Sequence, residues 1–122
     1  MKLHLTRGEG RNLFTGYGDG YVQVNEQRYT RSVIVAPERP VENWDAASFE
    51  ALTAAHFEAL AALKPEIVLL GTGSTFRFPR PELTRSLAQA AIGFEVMDTR
   101  AACRTYNVLM AEGRQVLAAI LL

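Results

Sequence analysis

Glu66-Ile67-Val68-Leu69-Leu70-Gly71-Thr72-Gly73 decides the fold. The apolar run that follows Glu66 leaves neither side of a pleated strand polar, which marks a strand covered on both faces, and the glycines after Leu70 break it. It reads as a central strand. C-terminal to it, a Pro-rich loop runs to Pro81, and Glu82 to Ala91 reads as a short helix with Leu83 and Leu87 turned inward. Phe94-Glu95-Val96-Met97 is a second strand. Asp98 or Thr99 caps a helix over Arg100 to Glu112, Gly113 closes it, and Gln115–Leu121 is the last strand. Strand, helix, strand, helix, strand in that order favours parallel pairing with right-handed crossovers, hence an α/β class.

N-terminal to the same stretch, Ser48 to Leu63 reads as a helix with Ser48 as N-cap and Phe49, Leu52, Leu60 and Leu63 on one side. Before it the chain reads as a β-hairpin or meander: Leu13–Thr15, a turn over Gly16–Gly20, Tyr21–Val24, a turn at Asn25-Glu26, then Tyr29 through Val35. Pro37 and Pro40 stop further pairing, and Glu38–Asp45 reads as a loop. These strands add antiparallel members to a mixed sheet with helices packed on it.

The chain has 122 residues, 48% of them hydrophobic, which is the size of one domain spanning 1–122. Thirteen Lys plus Arg balance thirteen Asp plus Glu, so no overall basic field exists to grip nucleic acid. A single cysteine, Cys103, rules out an internal disulfide, and with only His4 and His56 besides it no Cys/His zinc array can form. No cofactor is implied. No apolar run approaches the roughly 20 residues needed to span a bilayer. Residues 1–12 lack the pattern of a leader, and the expectation is a cytoplasmic protein without direct membrane insertion.

In open α/β sheets ligands gather beyond the carboxyl ends of the strands, where loops and helix starts present unpaired N–H groups. That rule selects Gly71-Thr72-Gly73-Ser74-Thr75-Phe76-Arg77-Phe78-Pro79 and Asp98-Thr99-Arg100, and predicts that both share one rim. The glycine loop is not a dinucleotide fingerprint, because Phe76 stands where the third glycine belongs, and no lysine follows to make a P-loop. A small anion held by loop N–H groups and Arg77 is one reading of the rim; a sharp turn with no ligand is the other. Arg100 and Arg104, four apart on a helix with Asn107, repel each other and call for an acidic neighbour, either a surface carboxylate such as Asp98 or Glu95, or a bound partner. Cys103 sits near these arginines, where a thiol can be activated, yet its helical register places it with Tyr106 and Met110 on the apolar side. His56 lies in the middle of its helix's apolar stripe and is expected to pack there with one nitrogen hydrogen-bonded. Trp44, Phe76 and Phe78, in Pro-containing loops, are candidate exposed anchors, with the core as the commoner place for such side chains.

Gly18-Asp19-Gly20-Tyr21, Val33-Ile34-Val35-Ala36-Pro37, Gly71-Thr72-Gly73 with Arg77-Phe78-Pro79, and the run from Gly93 through Asp98-Thr99 to Ala101–Leu109 together resemble the domain-of-unknown-function 498 family, which includes mitochondrial complex I (NADH dehydrogenase) assembly factor 3. The likeness covers about residues 13 to 121. It implies a three-layer α/β fold with a mixed central sheet in a small single-domain protein without an established catalytic activity, whose mitochondrial relatives help assemble a respiratory complex by contacting other assembly factors and subunits. The family supplies no catalytic residues, so the candidate site rests on the strand-end rule: Gly71, Thr72, Gly73, Arg77, Asp98, Thr99, Arg100, Cys103 and Arg104, holding a partner or an anion. The competing expectation is an enzyme or binder of a carboxylated or phosphorylated metabolite at this rim, with Cys103 or Ser74 as nucleophile. Ala118–Leu122, if it forms a sheet edge, would pair across a homo-oligomer.

Overall fold

In the structure, a computed structural model that describes residues 10–122, the apolar run Ile67–Leu70 becomes β6, Ile67–Thr72, two residues longer than the run itself. His4 and most of the segment read for a leader lie outside the described residues. β6 sits second from one side of a five-stranded sheet, ordered β5 (Glu42–Asn43), β4 (Val33–Val35), β8 (Val116–Leu121), β6, β7 (Gly93–Met97). β6 pairs in parallel with both β7 and β8, while β4 runs antiparallel to β8 and β5 to β4, so the sheet is mixed. The strand alternation is strict. Leu69 of β6 and Val116, Ala118 and Ile120 of β8 enter one apolar cluster, whereas Val68 and Leu70 with Leu117, Ala119 and Leu121 enter another on the opposite face.

Each face has its own cover. Helix α1 (Ala54–Ala62) and the short α2 (Arg85–Gln89) supply Phe57, Leu60 and Leu87 to one cluster; α3 (Thr99–Ala111) supplies Ala102, Cys103, Tyr106 and Met110 to the other. A second sheet, β1 (Phe14–Gly18), β2 (Tyr21–Val24) and β3 (Gln27–Tyr29), joins the α3 layer through Phe14, Val22 and Val24. Layers of α1 and α2, the large sheet, and α3 with the small sheet make the expected three-layer α/β architecture. The chain steps outward from β6 to β7 through α2 and back past β6 to β8 through α3. Crossovers of one hand taken in opposite directions place their helices on opposite faces, as observed.

Several elements depart from their sequence reading: Gly16–Gly18, read as turn, continue β1 and pair with β2, and Glu42-Asn43, read as loop, pair with β4 as the short β5. The C-terminal strand is not an edge: β8 lies between β4 and β6 and is buried along its whole length, so it has no free side for a second copy. The stretch read as one helix from Ser48 splits. Ser48 caps only a 3₁₀ turn over Phe49–Ala51, Leu52 is extended, and α1 starts anew after Thr53. Tyr29 through Val35 divides between the two sheets, with Thr30-Arg31-Ser32 carrying the chain across. Finally, the helix read over 82–91 is a 3₁₀ turn, Pro81–Thr84, running into α2.

Candidate functional site

The two candidate segments leave adjacent strand ends and part at once. The loop after β6 leads to α2 on one face, and the loop after β7 leads to α3 on the other. Between them the crevice is stitched shut by two threonines. Thr99, buried at the start of α3, donates its hydroxyl to the Leu121 carbonyl (2.7 Å), accepts the Gly73 N–H (2.9 Å), and returns its own N–H to the Gly73 carbonyl (2.9 Å). Thr72, also buried, donates to the Thr75 carbonyl (2.7 Å) and accepts the Arg77 N–H (3.4 Å). Asp98 caps α3 through the Ala101 N–H (2.9 Å) and places a carboxylate at the helix start, which opposes an anion there. At Gly71 a Cβ would lie 3.0 Å from Ile120 Cδ1 and 3.2 Å from Ala102 Cβ, so this glycine serves the close approach of α3 rather than a turn. Gly73, with φ at +91°, is the turn.

The divergence separates the arginines. Arg77 pairs with Glu50 (2.6 Å) and its guanidinium lies 4.4 Å over the Phe49 ring, on the α1 side. Hydrogen bonding to Arg77 holds the Glu50 carboxyl below its ordinary range. Arg100 pairs instead with Asp19 (3.2 Å) in the hairpin, and Arg104 donates to the Tyr17 hydroxyl (2.9 Å), which pushes the arginine's own pKa upward. Both guanidiniums face the Tyr17 ring, 5.6 and 6.0 Å from its centroid. The neighbour this like-charge pair calls for is thus a carboxylate and a π face of the small sheet. The two segments do meet at one rim, at Gly73 and Thr99, but Arg77 turns to Glu50 and Arg100 to Asp19, so the two guanidiniums do not face one ligand together as expected.

What stays open is a cleft of about 230 Å³ lined by Gly18, Asp19, Gly20, Gly73, Ser74, Thr99, Arg100, Leu121 and Leu122. Of the nine candidate residues, Gly73, Thr99 and Arg100 line it, and Arg104 adjoins through Tyr17. Gly71, Thr72 and Asp98 support it from behind. Cys103 does not belong to it: the side chain lies in the core beside Tyr106, and burial pushes the thiol up to about 12, against a lowering by Arg104. A thiol kept protonated and enclosed is no nucleophile. The sequence reading missed Tyr17 and Asp19. The signal for Asp19 was present in Gly18-Asp19-Gly20, read as a turn and as part of the family likeness but not as a site, and the unanswered charges of Arg100 and Arg104 pointed to a partner for both.

The remaining candidates are occupied structurally. His56 Nδ1 accepts the Thr53 N–H (3.0 Å), standing in for the Glu or Gln of a capping box, and Nε2 meets Asp45 (3.0 Å). Trp44 is buried, edge-on to His56 and Phe57. Phe76 and Phe78, in contrast, are exposed.

A cleft of this volume falls below the roughly 300–1,000 Å³ of most small-molecule sites. The fold and the site therefore define a small three-layer α/β domain with a shallow surface cleft between a hairpin and a helix start. Within that class the chain belongs to the family described as "Protein of unknown function (DUF498/DUF598)", whose model matches residues 14–121. It is 29% identical over 95% of its length to the "13 kDa major membrane protein" of Francisella tularensis, of which it covers 95%. It is 36% identical, over 84% of its length, to a Bos taurus protein named "NADH dehydrogenase [ubiquinone] 1 alpha subcomplex assembly factor 3", spanning 55% of that longer relative. A crystal structure of a Bordetella parapertussis protein superposes with a TM-score of 0.87 at 44% identity, covering 92% of this chain and 96% of that one.

Proposed function

We propose that this chain is a non-catalytic docking domain that serves the assembly of a membrane-bound respiratory complex of the NADH dehydrogenase kind, acting from the cytoplasmic side on a protein partner. The observation that carries the reading is the likeness to the bovine assembly factor over most of this chain. The partner would seat against the hairpin and the first turns of α3, with Tyr17, Asp19, Gly73, Arg100 and Arg104 as its contacts. Two features support that place. Cation–π and ion pairs prearrange the arginine heads at little further entropic cost, and the cleft beside them is wide enough for one inserted side chain. An anion at the helix start is less well supported, since Asp98 and Asp19 both stand there.

The test is genetic and biochemical. In a host whose membranes carry an NADH dehydrogenase of this type, loss of the protein is expected to lower the amount of fully assembled, NADH-oxidising complex on native gels. Wild type should restore it, and an Arg100→Glu/Arg104→Glu variant that folds normally should not. Unchanged complex in the deletion strain overturns the assembly role. Full rescue by the double variant overturns only the placing of the partner.

A further inference from the structure

Among the described residues the large apolar side chains that stand exposed are Phe76 (52%), Phe78 (71%), Val108 and Leu122. The two phenylalanines belong to one exposed run, Ser74-Thr75-Phe76-Arg77-Phe78, in the loop between β6 and α2. Their rings rest on each other, 4.8 Å between centroids at 60°. Arg77 turns back from between them to Phe49 and Glu50, so the loop is tethered to the body while the ring pair faces outward. Pro79 and Pro81 fix the backbone dihedral angles just beyond. Arg80 and Arg85 follow, exposed and without an ion pair among the described residues, against the single carboxylate of Glu82; Glu50 is already neutralised by Arg77.

We propose that this loop is a peripheral membrane contact, in which Phe76 and Phe78 enter the headgroup boundary of an anionic bilayer and Arg80 and Arg85 lie on its phosphates. The proposal concerns the bilayer, not the protein partner above, and takes the rings and arginines of residues 76–85 rather than the hairpin and the start of α3, although the loop begins at Gly73-Ser74, which edges the cleft. The size of the patch decides between occupants. Two half-exposed rings offer roughly 250 Å² of apolar surface, about half of the roughly 450 Å² that is apolar in the roughly 800 Å² each partner gives to a stable protein interface. The surroundings agree. An interface hot spot is ringed by further contacts that exclude water, but here the ring is arginine, glutamate, serine and threonine. A bilayer needs no such surround, because it supplies the apolar phase itself and draws cationic side chains to the surface from which the rings insert. No helix among the described residues is long and apolar enough to cross a membrane, so the contact is one of insertion by side chains.

The full chain, mixed with vesicles of phosphatidylcholine alone or of phosphatidylcholine with phosphatidylglycerol, is to be followed by flotation. Wild type should float with both and prefer the anionic vesicles by about fivefold, the worth of one net positive charge near such a surface. Phe76→Ser/Phe78→Ser should lose binding to both by about tenfold or more. Arg80→Gln/Arg85→Gln, which leaves the carboxylate of Glu82 uncompensated, should keep binding to the neutral vesicles and lose or reverse the preference for the anionic ones, while Val108→Ser behaves as wild type. All these positions are exposed, and matching thermal unfolding confirms that the variants fold. Failure of wild type to float, or flotation indifferent to loss of the rings, overturns the proposal. So does binding to cell membranes but not to protein-free vesicles, which would make the occupant a protein.

Discussion

At Gly71 a single missing methyl group sets how closely α3 lies on the sheet. The tip of Ile120 could move aside for a Cβ, but Thr99 Oγ1, 3.0 Å away, is held by two hydrogen bonds, and Ala102 Cβ is fixed on the helix. Gly71→Ala must therefore shift α3, and overpacking of that kind costs about 1–3 kcal/mol. Gly93, on neighbouring β7, is the control: a Cβ there meets Ile67 at an ordinary 3.4 Å, and its φ is not in the left-handed region. Gly93→Ala should be neutral or stabilise by about 0.5 kcal/mol through the unfolded chain. Urea unfolding of the two variants checks the contrast; equal losses would mean that Gly71 is no more confined than Gly93. The sequence shows Gly71 but not its role, because the atoms that confine it come from α3 and β8, some 30 and 50 residues further on.

At the scale of elements, the small sheet is fastened to α3 by a side chain that the helical pattern groups with Arg100 and Arg104. Asn107 shares a helix with Arg100 and Arg104, yet its amide turns to Phe14, accepting that residue's N–H (3.0 Å) and donating to its carbonyl (2.8 Å), as a neighbouring strand would. The Tyr106 hydroxyl adds a bond to the Asn12 carbonyl (3.0 Å), and its ring meets Phe14 edge-on at 5.1 Å. Asn107→Ala leaves both backbone groups of Phe14 without this partner, a loss of about 1–3 kcal/mol. Hydrogen exchange should then quicken in β1 and β2 well before β6 and β8; equal acceleration throughout would show that the hairpin opens only with the whole domain. The strands on either side of this lock, and α3 itself, are legible from alternation and from the Asp98 cap. The lock is not, since it joins residues 93 positions apart and has no periodic signature. The same limit governs the candidate site. Strand-end reasoning located Gly73 and Arg100, but which way Arg77 would go depended on strand order, and only the reversal of direction after β7 separates it from Arg100.

At the scale of the whole molecule, the two faces of the large sheet differ in chemistry. The α1–α2 side buries aliphatic and aromatic groups, with Trp44, Phe57 and Phe94 meeting edge to face. The α3 side encloses two weak acids, Cys103 and Tyr106, in successive turns of one helix. Burial raises both: the thiol from its ordinary 9.0 to about 12, and the phenol well above its ordinary 10.0. Each group then keeps its proton in the folded chain at a pH where the unfolded chain has lost it. Their contribution to stability is complete below pH 9 and is lost as pH rises, the folded state being the one that binds more protons. Stability should thus fall above pH 9 with a slope approaching about 1.4 kcal/mol per pH unit for one proton, and should steepen beyond pH 10 as the tyrosine joins. Cys103→Ala removes the first of these steps. Urea midpoints measured from neutral pH upward should hold level in that variant until the tyrosine's range, while wild type already declines; parallel curves between pH 9 and 10 would mean that the thiol ionises as freely in the fold as outside it.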